Sequence, residues 1–322
     1  MSNNRFDPIF RGKSTEFLLS NGLVEMTDDE AADEQVCMSM AVPLPLIWKN
    51  RDDNEKYVQW DSEMEKHLQH LGKLIDHGGR ESFEPFSIYQ EMGLNWSDGF
   101  AQSQGSIGTC CLFGHWHAAK QTSLTQAKLH GGMKPVEIQP SITYSIARGG
   151  WGSGLNLAPM SKAGAKYGNY LTFDVGKYST SGSAVTKGNQ QKFAANALKY
   201  QSIPCYVPDL SFDTFYELAR AGCACNIGSS SWPSGSIIDT NGMSIGQGAS
   251  RGAHATCLGG FAIEINGTKY ILWTNSHGAR FKQGTRIKQN PFGCFVTRQN
   301  WNLLALNKKF GTPYINFIEL VT

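Results

Sequence analysis

The sequence predicts an α+β protein in which a helical N-terminal lobe precedes a mainly antiparallel β lobe. Three observations point there. Apolar residues at Trp60, Met64, Leu68, Leu71 and Ile75 step by four, four, three and four, the spacing of one helical face. The short apolar runs FAIEI (261–265) and YILWT (270–274) flank Asn266-Gly267, a strong hairpin signal. Between these regions the stretch 178–191, YSTSGSAVTKGNQQ, is polar and rich in Ser, Thr and Gly, the composition of a surface loop between lobes.

The elements follow in order. The acidic run TDDEAADEQ (27–35) reads as a solvated surface segment or the start of a short helix, and PLPL (43–46) as extended chain. A helix over about 60–77 is capped by Ser62 with Glu65 and stopped by Gly78-Gly79; its single stripe requires something to dock on. A second helix begins at Cys110 and runs into the 120s, with Leu112, Phe113 and Trp116 as its buried side. After the hairpin, GCFVTR (293–298) and INFIEL (315–320) read as further strands. The expected organisation is an N-terminal extension over 1–90, which docks on a partner or resembles a pro-segment, a helical lobe over 91–192 and a β lobe over 193–322.

Composition excludes several classes. With 322 residues, 40% hydrophobic, 17% charged and a net charge of +2, the chain has no mark of long disorder, a membrane span or a general nucleic-acid binder. The first residues, MSNNRFDPIFRGKSTEF, lack the apolar run of a signal peptide, so a cytoplasmic protein whose eight cysteines are free thiols is expected. Cys223-Ala-Cys225 lacks the second ligand pair of a structural zinc site, and His115 and His117 point different ways on a helix. The glycine-rich run 149–154 lacks GxGxxG spacing and a P-loop lysine. Neither a metal nor a cofactor is therefore expected, and Lys and Arg at 280, 282, 286 and 288 read as a solvated face.

The stretch QSQGSIGTCCLFGHWH (102–117) carries the chemistry. A cysteine in the first turn of a helix faces unpaired N–H groups and the positive dipole end, which favour its thiolate. Acyl transfer also needs a histidine to move the proton, a group to orient it and donors for the oxyanion. His254, before the first hairpin strand, and Asn275, after the second, lie 21 positions apart yet share one hairpin edge. Gln104 stands six residues before Cys110, where its amide and the Cys110 backbone N–H can serve the oxyanion.

These residues resemble the papain-like cysteine peptidases. The glutamine, glycine-containing turn and cysteine six positions later read Gln104-Gly105-Ser106-Ile107-Gly108-Thr109-Cys110; the cleft glycines read Gly149-Gly150; the histidine reads His254-Ala255; and the asparagine motif reads Asn275-Ser276-His277-Gly278. The resemblance implies a two-lobed fold with an interlobe cleft, a Cys110-His254-Asn275 triad with Gln104 as oxyanion donor, and substrate binding along Gly149 and Gly150. It departs at Cys111 and His277, where the family has tryptophans, and a histidine shield would leave the His254–Asn275 bond wetter. The implied activity is hydrolysis of peptide or isopeptide bonds in a peptide or protein substrate. The second reading is a papain-fold structural or assembly protein, for example of a virus particle, with weak or no peptidase activity, docking through its N-terminal extension.

Overall fold

In the computed structural model the described residues are 103–129, 137–207, 209–220 and 223–318, with the short strands β1 (Gly12–Lys13), β2 (Ile47–Trp48) and β3 (Tyr57–Val58). The helix expected over 60–77 and the runs at 27–35 and 43–46 lie outside the described residues. The chain is α+β. Helices α1 (Cys110–Leu129), α2 (Ser141–Arg148), α3 (Leu157–Tyr167), α4 (Thr172–Val175) and α5 (Lys187–Ala197) precede strand β4 (Ser202–Tyr206). Helix α6 (Phe212–Arg220) then leads into β5 (Ala224–Ile238), β6 (Ser244–Ile265), β7 (Thr268–Thr274), β8 (Gly293–Thr297) and β9 (Tyr314–Ile318).

Seven strands form one sheet in the order β2-β4-β9-β5-β6-β7-β8, and β8 also meets β6 at the parallel pair Ile245↔Phe295. That second contact curls β6, β7 and β8 back on themselves, which removes an exposed edge. The turn from β6 to β7 is the expected one: Asn266 and Gly267 have φ of 51° and 76°, the left-handed pair that a two-residue hairpin needs. Phe261, Ile263, Tyr270, Leu272 and Phe295 fill the space inside the curl. On the other side α6 packs Phe215, Leu218 and Ala219 with Ile227, Trp273 and Val296 of the sheet.

One sequence expectation changes. The stretch 178–191 is not loop throughout, because α5 starts at Lys187 and the Thr186 side chain caps it by accepting from the Asn189 N–H at 3.0 Å. Residues 228–252, which carry no apolar pattern, lie mostly in the long antiparallel pair β5–β6, registered from Ala224↔Gly259 to Ile238↔Ser244 with a bulge between Ser229 and Ser231. Glycine and serine can occupy such strands because pairing between two long partners, not local propensity, decides.

Helix α1 is the central element. Sequence pattern assigns it one buried side, yet every residue from Cys111 to Lys120 is buried. It lies between α2 and α3 on one side and β5, β6 and β9 on the other, and a helix covered all round needs no polar face. His115 belongs there because both ring nitrogens are bonded: Nε2 lies 3.0 Å from Asn169 Oδ1 and Nδ1 2.9 Å from the Tyr314 hydroxyl. Asn169 Oδ1 can only accept, so Nε2 carries the proton and Tyr314 donates to Nδ1. Asn226 Nδ2 donates in turn to Tyr314 at 3.1 Å, which ties α1 to β5 and β9. Burial lowers the His115 pKa to about 4, so the ring is neutral.

At Gly114 helix and sheet lie so close that a Cβ would run into Asn226 Oδ1 and the Thr256 carbonyl. Glycine inside a helix is unfavourable by about 1 kcal/mol relative to alanine, so elsewhere the exchange would stabilise. Here Gly114→Ala is expected to destabilise by about 1–3 kcal/mol through overpacking, read as a lower urea midpoint at unchanged m-value. An unchanged or higher midpoint would show that the helix does not touch the sheet at this residue.

Candidate active site

Cys110 is the first residue of α1 and is half-buried. The backbone N–H groups of Ala255, Cys111 and Cys110 reach its sulfur and favour the thiolate, but burial outweighs them and raises the thiol above its ordinary value. The dipole argument from sequence therefore has the wrong net sign for the free protein. A helix terminus lowers a thiol pKa only where the thiolate also keeps enough solvent or a cation.

His254 sits within β6, opposite Ser229 of β5, and its neighbour Ala255 is the residue whose N–H meets the Cys110 sulfur. Pairing of Cys257 with Thr274 brings the following Asn275 to the same edge, and Asn275 Oδ1 lies 2.7 Å from His254 Nε2. An amide oxygen only accepts, so Nε2 carries the proton and the Nδ1 lone pair is left as the base. Asn275 Oδ1 also accepts from the Ser276 N–H at 2.7 Å, which fixes the amide orientation. Burial lowers the His254 pKa to about 4, opposed by the Asn275 hydrogen bond.

The shield over this pair differs from the expectation. The His277 ring does stack on His254, at 4.2 Å between centroids and 25° between planes. Trp232 of β5, which sequence reasoning missed, packs on His254 at 4.5 Å. With His254 4% and Asn275 1% exposed, the bond is dry, not wet. Trp232 leaves no sequence signal because it lies in a polar, serine-rich strand and reaches His254 only through the β5–β6 pairing. Burial, and then Arg280, lower the His277 pKa, and the Arg280 guanidinium donates to the His277 carbonyl at 2.8 Å.

Gln104 is buried and held at four points. Its N–H donates to the Ser276 carbonyl at 2.8 Å, its Oε1 accepts from Ser276 Oγ at 2.6 Å, its Nε2 donates to the Ile107 carbonyl at 2.9 Å, and its carbonyl accepts from the Tyr178 hydroxyl at 3.0 Å. An amide nitrogen has two hydrogens, so one N–H remains for an incoming oxygen. The turn that follows rests on the glycine run: Gly108 N–H donates to Ser153 Oγ at 3.0 Å, and Gly154 N–H to the Gly108 carbonyl at 2.8 Å.

Gly149 and Gly150 end α2 with φ of 81° and 141°, and a Cβ on either would meet nothing within 4 Å. Their backbone thus faces open space. Arg148 braces the loop from behind, donating to the carbonyls of Ser153 at 3.0 Å and Gly150 at 3.2 Å.

No family model matches the sequence, and no curated protein matches it. Among solved structures the chain is similar to a ragweed pollen cysteine protease in its proform, Amb a 11, at 16% identity and a TM-score of 0.45, over 67% of this chain and 61% of that one. The chain thus matches less than two thirds of that proform. It is also similar to the clostridial cysteine protease Cwp84 after propeptide cleavage, at 12% identity and a TM-score of 0.47, over 73% of this chain and 58% of that one. A third is digestive procathepsin L 3 of Tenebrio molitor larval midgut, at 12% identity and a TM-score of 0.41, over 95% of this chain and 100% of that one. At such identities and TM-scores the likeness assigns no role to this chain, and the chemistry of the site stands on its own residues.

The remaining candidates lie apart. Cys111 is buried in the core between α1 and α3, with its thiol donating to the Asn156 carbonyl at 3.4 Å, and burial raises its pKa well above the ordinary value. His115 and His117 are both buried in the helix. Cys110, Cys111, Cys223, Cys225, Cys257 and Cys294 are free thiols, and the described residues contain no group of three or more His, Cys, Asp and Glu placed to hold a metal. Arg280, Lys282, Arg286 and Lys288 are exposed, as expected.

The pKa directions make a prediction about thiol labelling. A thiol raised above its ordinary value gains thiolate about tenfold per pH unit until that pKa is passed. Alkylation of Cys110 by iodoacetamide is therefore expected to keep accelerating from pH 7 through pH 9. A rate flat across that range would mean a preformed thiolate–imidazolium pair.

Proposed function

We propose that the protein is a cysteine peptidase that hydrolyses peptide or isopeptide bonds with Cys110 as nucleophile. The observation that carries the reading is the dry 2.7 Å bond between His254 and Asn275, one residue from the backbone N–H that meets the Cys110 sulfur. A buried, oriented imidazole with a free Nδ1 beside a half-buried thiol is the equipment of acyl transfer.

In the free protein the pair rests as thiol and imidazole, because burial disfavours charge on both. As a substrate carbonyl arrives along Gly149 and Gly150, the thiol proton passes to His254 Nδ1 and the sulfur attacks the carbonyl carbon. The carbonyl electrons move to oxygen, which accepts from Gln104 Nε2–H and the Cys110 N–H. Asn275 Oδ1, already accepting from Nε2, stabilises the imidazolium without taking a proton. Collapse of the adduct expels the amine, protonated by His254, and leaves a thioester on Cys110. Water deprotonated by His254 hydrolyses that thioester and restores the thiol.

Cleavage of fluorescently labelled casein, with alkylation of the folded protein as a second readout, tests the assignment. Cys110→Ala should abolish both, and His254→Ala should lower turnover by at least about a thousandfold. Asn275→Ala should cost about ten- to a hundredfold, because it orients the base and carries no proton. Cys111→Ala should retain most activity, since Cys111 lies in the core. Alkylation at Cys111 together with an active Cys110→Ala variant would contradict the assignment.

A further inference from the structure

Tyr178 lies in the polar stretch that reads as a linker, and the mechanism above makes no use of it. Its hydroxyl donates to the Gln104 carbonyl at 3.0 Å and lies 2.9 Å from Thr109 Oγ1. A phenol has one hydrogen, so with that hydrogen on the carbonyl, Thr109 must donate to Tyr178 Oη. The result is a directed chain from Thr109, the residue before the nucleophile, through Tyr178 to Gln104, whose side chain offers the oxyanion donor.

The turn between these ends needs such a tie. It contains Gly105 at φ 68° and Gly108, and glycine leaves a backbone free to adopt many conformations. Fixing the Gln104 carbonyl fixes the peptide plane after its Cα, and with it the direction in which the side chain leaves. Tyr178 is itself anchored, its ring edge-on to Phe113 of α1 at 4.8 Å and tilted against Trp151 of the glycine run at 6.1 Å. Burial raises the Tyr178 pKa, so the hydroxyl keeps its hydrogen. One side chain therefore touches the nucleophile's helix, the oxyanion turn and the loop beside the substrate's expected path.

We infer that Tyr178 is a positioning residue for oxyanion binding: its hydroxyl, between Thr109 and the Gln104 carbonyl, holds the turn so that the Gln104 amide and the Cys110 N–H converge on one point. This rests on the peptidase reading.

Tyr178→Phe keeps both ring contacts and removes only the relay. Three readouts on the full chain separate the possibilities: cleavage of labelled casein, inhibition by the peptide aldehyde N-acetyl-leucyl-leucyl-norleucinal, and alkylation of Cys110 by iodoacetamide. The aldehyde adds the Cys110 sulfur to its carbonyl carbon and places the resulting oxygen at the oxyanion position, whereas alkylation displaces iodide and forms no oxyanion. Cleavage rate and aldehyde affinity should both fall about tenfold, less than on deleting a donor outright, while alkylation stays within about twofold. Thr109→Val should shift the first two readouts in the same direction by a smaller factor. The inference is overturned if Tyr178→Phe leaves cleavage and aldehyde affinity unchanged, or if alkylation falls in step with them. If the wild type alkylates at Cys110 yet neither cleaves casein nor binds the aldehyde, the peptidase reading fails, and the role of Tyr178 fails with it.

Discussion

Gly114 lets α1 lie against the Thr256 carbonyl and Asn226, and the rest of the site depends on that approach. A side chain there would push the helix from the sheet by the size of a methyl group. The helix carries Cys110 one turn before Gly114, and the sheet carries Ala255 one residue before Thr256, so the same approach sets the thiol against the backbone beside His254. The His115–Tyr314–Asn226 hydrogen bonds fix the rotation of α1 at the same level. A close-packed interior transmits such constraints because it has little room to absorb them.

Burial then sets the electrostatic character of the site. The contacts that set Cys110 against the Ala255 backbone, and His254 against Asn275, Trp232 and His277, also strip water from both side chains, raising the thiol and lowering the imidazole to about 4. Separating charge between them is disfavoured until something else stabilises it. The groups that do so are fixed in place: Asn275 Oδ1 on the imidazole, and the amides of Ala255, Cys111 and Cys110 on the sulfur. Trp232 and His277 on the imidazole keep water from competing for the Asn275 bond.

The legible part of this molecule was local in sequence. Asn266-Gly267 specified its hairpin because only a left-handed pair makes that turn, and the spacing from Gln104 to Cys110 marked a turn running into a helix. The hairpin also implied that His254 and Asn275 share one edge, but counting out from the turn misses the bulge between Leu258 and Ala262, which shifts the register so that Cys257 pairs with Thr274. What was illegible is created by tertiary contact. Trp232 reaches His254 only through the long β5–β6 pairing, and Tyr178 reaches Gln104 across 74 positions of sequence. The sign of the Cys110 shift was missed because a helix dipole can be read from position in the chain, whereas the depth of burial cannot.

The most direct test of the central claim is to trap the acyl intermediate. Reaction with p-nitrophenyl acetate transfers an acetyl group to the attacking atom and releases nitrophenolate, and peptide mapping by mass spectrometry then locates the acetyl group. The account predicts a burst of nitrophenolate with the acetyl group on Cys110, and loss of that burst in His254→Ala. An acetyl group on Cys111 or another residue, or a burst that survives without His254, would contradict it.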